Sequence, residues 1–199
     1  MFGLVVFGVG TGMQVESELG LSPWDVLHQG ISRKTPLSIG GSVIVVSGLV
    51  LLLWIPLKQR LGVGTIANAI TIGIVLDITV AFHPTPQALW LRWVVLLAGI
   101  VLVGFGSGVY IGVRLGPGPR DGLMTGLANT TIADRRVSIR LARFGIESAA
   151  LVVGWLLGGT VGLGTVAFAL LIGPLVQFFL ERFDMGFHET GIIPAPKRL

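Results

Sequence analysis

The chain has 199 residues, 52% of them apolar and only 12% charged, with 30 glycines, no cysteine and a formal net charge of +4. A soluble domain would carry about a quarter charged residues, and here the charges cluster between apolar runs, the pattern of a polytopic membrane protein. Lack of cysteine excludes a disulfide framework and a thiolate metal site, and the three histidines, His28, His83 and His188, are not spaced as ligands. The mild positive charge therefore reads as loop charge that sets topology, with no nucleic-acid surface and no cofactor implied.

In chain order, Phe2 to Val15 is apolar and glycine-rich but short for a span of about 20 residues. It lacks a basic leader region and a small-residue cleavage site, so it does not read as a signal peptide. A short helix is predicted from Pro23 to about Ser32, stopped by Arg33-Lys34-Thr35-Pro36. The second span is Ser38 to Pro56, followed by the basic turn Lys58-Gln59-Arg60. The third, Val63 to about Phe82, is opened by Gly62-Val63-Gly64-Thr65, and His83-Pro84-Thr85-Pro86 follows as a loop. Leu89 to Val113 is the fourth span, and Pro119 to about Thr130 a second short helix. The fifth span, Leu141 to Leu157, ends at Gly158-Gly159, and the sixth, Leu163 to Leu180, opens on Gly162-Leu163-Gly164-Thr165. From Asp184 onward the chain is a polar tail with Pro194 and Pro196.

Two stretches organise this list. Gly20-Leu21-Ser22-Pro23-Trp24-Asp25-Val26-Leu27-His28-Gln29-Gly30 is echoed by Gly116-Pro117-Gly118-Pro119-Arg120-Asp121-Gly122-Leu123-Met124-Thr125-Gly126. Both read as helix starts. Proline suits the first helical position, where its missing N–H costs nothing. Ser22 and Asp25 form a capping box, with Gly118 and Asp121 in the same places of the second copy. Gly8, Gly10 and Gly12 recur at the same offset as Gly104, Gly106 and Gly108. Gly62, Gly64, Thr65, Ala67, Ala69, Ile72 and Gly73 recur as Gly162, Gly164, Thr165, Ala167, Ala169, Ile172 and Gly173, at an offset enlarged by a small insertion. Each half is thus span, short helix, span, GxGT span: an internal duplication. By this alignment the first helix is truncated at its start, or translation begins upstream of Met1.

An odd number of spans per half makes the repeats enter the bilayer from opposite sides. The basic residues agree. Lys58, Arg60, Arg114, Arg120, Arg135, Arg136, Arg140, Arg182, Lys197 and Arg198 fall on one side, Arg33, Lys34 and Arg92 on the other. The bias places both termini in the cytoplasm. The fold expected is all-α: one membrane domain over 1–183, with repeats at about 1–83 and 89–183, six transmembrane helices, two short interfacial or re-entrant helices and inverted repeats. Residues 184–199 form a cytoplasmic tail.

The Leu19–Gly30 run, Gly62-Val63-Gly64-Thr65, and Gly116–Leu123 resemble bacterial YczE-type integral membrane proteins, grouped with the YitT and YyaS proteins. The resemblance covers nearly the whole chain except the tail. It implies a bacterial integral membrane protein and carries over no catalytic or ligand residue; the bacterial inner membrane is the expected location.

Asp25 and Asp121 read as caps worth about 1 kcal/mol each, or as part of a polar cavity onto which the two helix N-termini face. Trp24 is replaced by Arg120 in the second motif. Trp suits an outer interface, and Arg the cytoplasmic face or an anionic ligand. Asp77 and Glu147 lie inside apolar runs, where charges usually face the bundle interior. Glu147 stands one helical turn after Arg143, an intrahelical ion pair or a charged lining of a substrate path. Asp77 has no neighbour in sequence and is the candidate for proton coupling. Asn68, Gln14 and Gln177 are polar groups in spans, Gln177 standing opposite Asp77 in the repeat alignment. His28 reads as interfacial.

The candidate path is thus Asp77, Asn68, Gln177, Arg143 and Glu147, with helix-start motifs Ser22, Pro23, Trp24, Asp25, Pro119, Arg120 and Asp121. The function expected is a transporter or permease for an unknown small molecule or ion, its site between the halves. The alternative is a non-transporting accessory or scaffold protein supporting another membrane or secretion system. No nucleophile–base or metal constellation marks an enzyme. The lipid bilayer is the expected partner, and self-association into a homo-oligomer is left open.

Overall fold

The computed structural model describes residues 1–59, 61–82, 85–113, 116–128, 131–132, 135–136 and 138–183, with the backbone alone for 131–132 and 135–136. It holds α1 (Phe2–Ser17), α2 (Pro23–Lys34), α3 (Ile39–Trp54), α4 (Val63–Phe82), α5 (Leu89–Gly112), α6 (Pro119–Ala128), α7 (Ile139–Leu156) and α8 (Leu163–Phe183). A two-residue antiparallel ladder, Thr131–Ile132 against Arg135–Arg136, lies between α6 and α7. The tail and the basic positions Arg60 and Arg114 lie outside the described residues, as do His83 and His188.

The helix starts follow the local chemistry. Ser22 caps α2, its Oγ accepting from the Asp25 N–H at 3.3 Å while its hydroxyl donates to the Asp25 carboxylate. Pro23 sits in the first turn. Helix α2 runs on through Arg33 and Lys34, because Arg33 donates to the Gly158 carbonyl and to Thr160 Oγ1 at 3.1 Å. Gly158, with φ of 98°, closes the chain after α7.

Three helices, α4, α5 and α8, are long and apolar enough to cross a membrane, and α2 with α3 would add a fourth if that pair, bent by 113°, forms one broken span. Helices α1 and α3 have 16 residues each, about 24 Å at the helical rise and short of a hydrocarbon core of about 30 Å. Helix α7 carries Arg140, Arg143 and Glu147.

Glycine sets the packing. Helices α1 and α5 run antiparallel at backbone contact: a Cβ on Gly10 would lie 2.7 Å from the Gly99 carbonyl, and one on Gly3 2.8 Å from the Gly106 carbonyl. Gly8 and Gly12 of α1 receive Val75 and Thr79 of α4, as Gly104 and Gly108 of α5 receive Leu175 and Phe179 of α8. These are the same contacts in each half. Across the halves the elements are exchanged. Helix α2 packs on α7, and α6 on α3. One cluster joins Trp24, Val46, Val50, Trp54, Leu123 and Ala150, and another Leu4, Phe7, Val43, Ile72, Leu76 and Val103.

The proline and GxGT motifs are exchanged too. Gly116, with φ of 126°, lies against Gly62 and Thr65, and Thr65 Oγ1 donates to the Pro117 carbonyl at 2.8 Å. Gly20, with φ of 121°, lies against Gly162 and Thr165, and the Gly164 N–H donates to the Leu19 carbonyl at 2.8 Å. Each motif therefore docks the short helix of one half onto the last helix of the other. A Cβ at Gly20 or Gly116 would be strained and would meet backbone.

Candidate functional site

The duplicated contacts fail in one place. In the first half α3 and α4 are zipped together. Gly40 and Gly73 face each other at backbone contact, and Asp77 reaches from α4 to the start of α3, accepting from the Ser38 hydroxyl at 2.5 Å and the Gly40 N–H at 2.8 Å. A carboxylate at a helix N-terminus satisfies a free N–H and the positive end of the dipole. In the second half Gln177 stands where Asp77 does, and a Cβ on Gly173 would meet nothing within 4 Å. Helices α7 and α8 scarcely touch.

A cavity of about 370 Å³ occupies that gap. Both short helices start on it. Ser22, Pro23 and Trp24 come from α2, Gly118, Arg120 and Asp121 from the α6 motif. Arg143 and Glu147 of α7 form one wall and α8 the other, with Phe168, Ile172 and Gln177. Asn68, Ser107 and Tyr110 complete the polar lining. The Arg120 guanidinium lies 5.8 Å from the ring centres of both Phe7 and Trp24, within cation–π reach. Tyr110 donates to Asp121 at 2.9 Å, Arg143 to Glu147 at 3.0 Å, and Gln177 to Glu181 at 3.0 Å. The i,i+4 pair read between Arg143 and Glu147 is present, and it also lines the cavity.

The structure thus brings together Asn68, Gln177, Arg143, Glu147, Ser22, Pro23, Trp24, Arg120 and Asp121. Asp77 is apart, on the closed α3–α4 seam; it has no neighbour in sequence but two partners in space. Asp25 and Pro119 line a small void of about 10 Å³ beside the cavity. Two residues of the first motif lie deeper in the protein than their spacing indicates. His28, read as interfacial, is buried inside the protein at 3% exposed, with Nδ1 3.4 Å from Asp25 Oδ1. Trp24 is likewise buried, because α2 is clamped between α3 and α7. Sequence reasoning missed Tyr110, although a signal existed, since it is the single tyrosine of the chain and lies in an apolar helix. Phe7 carried no signal.

Asp77→Asn should lower the thermal stability of the purified protein by about 1.5–3 kcal/mol, the range for hydrogen bonds to a charged group. The amide keeps one acceptor and turns a donor toward the other partner. A melting temperature unchanged from wild type would show that the staple adds nothing to the fold.

The family model described as a family of unknown function, DUF6198, matches residues 1–181. An uncharacterized protein of Haemophilus influenzae is 47% identical over 181 residues, 91% of this chain and 81% of the relative. The uncharacterized membrane protein YczE of Bacillus subtilis is 30% identical over 182 residues, 90% of this chain and 83% of that protein. The uncharacterized protein YyaS of the same organism is 28% identical over 192 residues, 93% of this chain and 92% of its own length. No solved structure matches. The chain belongs to the DUF6198 family, and the resemblance read from its two proline motifs is borne out. With a relative described as a membrane protein and three helices suited to crossing a bilayer, it is a membrane protein.

Proposed function

We propose, from the premise that the chain is a member of this YczE-like family, that it is a multi-pass inner-membrane transporter or permease whose site is the cavity between α7 and α8. One observation carries the reading: equivalent seams of two duplicated halves are closed in one half and open in the other. In this reading the halves are inverted repeats, consistent with the antiparallel packing of the equivalent helices α1 and α5. Helices α1, α3 and α7 then serve as further spans, to a total of six, and both termini are cytoplasmic. Exchanging the conformations of the halves would close α7 on α8 and part α3 from α4, opening the site to the other side.

The energies suit such an exchange. Parting α3 from α4 breaks the Asp77 bonds to Ser38 and Gly40, each worth about 1.5–3 kcal/mol. Together they put the parted state about 3–6 kcal/mol above the ground state, a population below about 1% in the wild-type protein. Asp77 is then a latch on the closed seam, and removing its charge, as Asp77→Asn does, would loosen it.

The test needs no substrate. The chain has no cysteine, so spin labels can be placed cleanly at Arg143→Cys with Gln177→Cys, across the open seam, and at Val45→Cys with Ile74→Cys, on exposed positions of α3 and α4. Distances measured in lipid nanodiscs should show one dominant population at each pair in the wild-type protein, with a second that grows in Asp77→Asn. Asp77→Asn should shift them in opposite senses, shortening the first and lengthening the second. A single fixed distance at both pairs, unmoved by Asp77→Asn, would sink alternating access and leave the accessory role.

A further inference from the structure

The charges of the cavity are not equally engaged. Its acids are occupied: Asp121 accepts from Tyr110 at 2.9 Å, and Glu147 from Arg143 at 3.0 Å. Asp25, just behind the cavity, takes the Ser22 hydroxyl and faces His28, although it also feels the Arg120 charge. Of the two arginines on the lining, Arg143 has a carboxylate partner. Arg120 has none within 4 Å among the described residues. Its guanidinium is half-buried between two aromatic faces, and those faces leave its in-plane donors free for an acceptor. A second group beside it lacks a partner. The Trp24 indole N–H is buried and unpaired, and Trp24, 6% exposed overall, is one of the residues that line the cavity. A buried donor without an acceptor is costly and calls for one. The starts of α2 and α6 add the positive ends of two helix dipoles. Away from this polar end the lining is apolar, with Val103, Phe168, Ile172, Val176 and Leu180.

We infer that the cavity binds an organic anion with an apolar body, its anionic group held by the Arg120 guanidinium and the Trp24 indole N–H and its body lying against α8. This rests on the cavity being the transport site, and it adds the substrate class. A soluble organic acid and an anionic lipid share this chemistry.

Binding can be followed by calorimetry on the whole protein in phosphatidylcholine nanodiscs, with empty nanodiscs subtracted. The probes are 3-phenylpropionate, 3-phenylpropanol and 3-phenylpropylamine. The propionate should bind, with the alcohol and amine at least about tenfold weaker, as expected when a charge-assisted hydrogen bond is lost. Arg120→Gln should weaken the propionate by about tenfold or more, and Trp24→Phe by severalfold. In wild type the propionate should also move the Trp24 indole N–H resonance, assigned by its absence in Trp24→Phe. That readout holds even if Arg120→Gln does not fold. Phosphatidylglycerol in the nanodisc that competes with the propionate would identify a lipid headgroup as the natural source; indifference to it would identify a free acid. Equal or tighter binding of the amine, no binding of the propionate, or an unmoved Trp24 resonance would overturn the inference. Propionate binding without uptake into proteoliposomes would remove transport and leave the anion site. Seams that exchange while the amine is preferred would do the reverse.

Discussion

Trp54→Ala should cost about 3–5 kcal/mol of stability, the range for emptying a large buried aromatic site. Trp54 is 1% exposed, and its ring lies against Gly122 of α6, where a Cβ would overlap it. Its Nε1–H donates to the Pro119 carbonyl at 3.0 Å. One side chain thus joins α3 of the first half to the start of α6 in the second, beside Trp24, Val50 and Leu123. Truncation leaves a hole that rigid helices cannot fill and removes the indole hydrogen bond to the Pro119 carbonyl, which keeps only its bond within α6. The repeat offers no replacement, since Gly154 stands in the equivalent place and packs on the backbone of Val26 and Leu27. Trp54→Phe keeps most of the volume and should lose about 0.5–1.5 kcal/mol, mainly the indole hydrogen bond, because the Pro119 carbonyl stays bonded within α6. Reversible unfolding of purified protein in mixed micelles measures both. A loss below about 1 kcal/mol for Trp54→Ala would mean that α3 and α6 are held together by something else.

Gly10→Val should be as damaging, through the opposite fault. Between helices in a bilayer, association rests on close packing, because lipid is as apolar as the side chains. A Cβ at Gly10 would stand 2.7 Å from the Gly99 carbonyl and 2.9 Å from the Val103 nitrogen. Backbone cannot rotate away, so α1 must lift off α5. The Gly3–Gly106 contact on the same seam would loosen with it. Overpacking of this kind costs about 1–3 kcal/mol for added methylenes, and here it acts on one of the contacts that join the two halves. Folded protein recovered from membranes should fall sharply. Gly48→Ala is the control: a Cβ there meets nothing within 4 Å, so the variant should gain up to about 1 kcal/mol from helix propensity. Equal yields of the Gly10→Val and Gly48→Ala proteins would show that the α1–α5 contact does not limit folding.

Much of the fold was legible because its signals are local. Ser22, Pro23 and Asp25 mark a helix start by capping chemistry that acts within one turn. Val63 to Phe82 read as one apolar segment and is one helix. Most candidate site residues meet at the cavity for a related reason: a polar side chain in an apolar run has few places to go except the interior. The insertion inferred between the second short helix and the second GxGT motif falls in the connector after α6, since Ser138 precedes α7 as Ser38 precedes α3.

Sequence by itself therefore determined the recurring motifs, the helix starts and the membrane class, all of which depend on pattern along the chain. Tertiary structure alone decided which pieces meet. No periodicity says that the proline motif of one half docks on the GxGT segment of the other, because that choice is made by backbone fit at Gly20 and Gly116. Nor does any spacing show that Trp24 and Arg120, equivalent residues of two motifs far apart in the chain, stack on one another. Asp77 and Gln177 looked like matched polar groups. Asp77 closes its seam because Ser38 and the Gly40 N–H lie within its reach, whereas Gln177 turns to Glu181 and faces a gap. The cavity exists because two copies of one pattern have packed differently, and packing is set by contacts between segments that neither segment encodes alone.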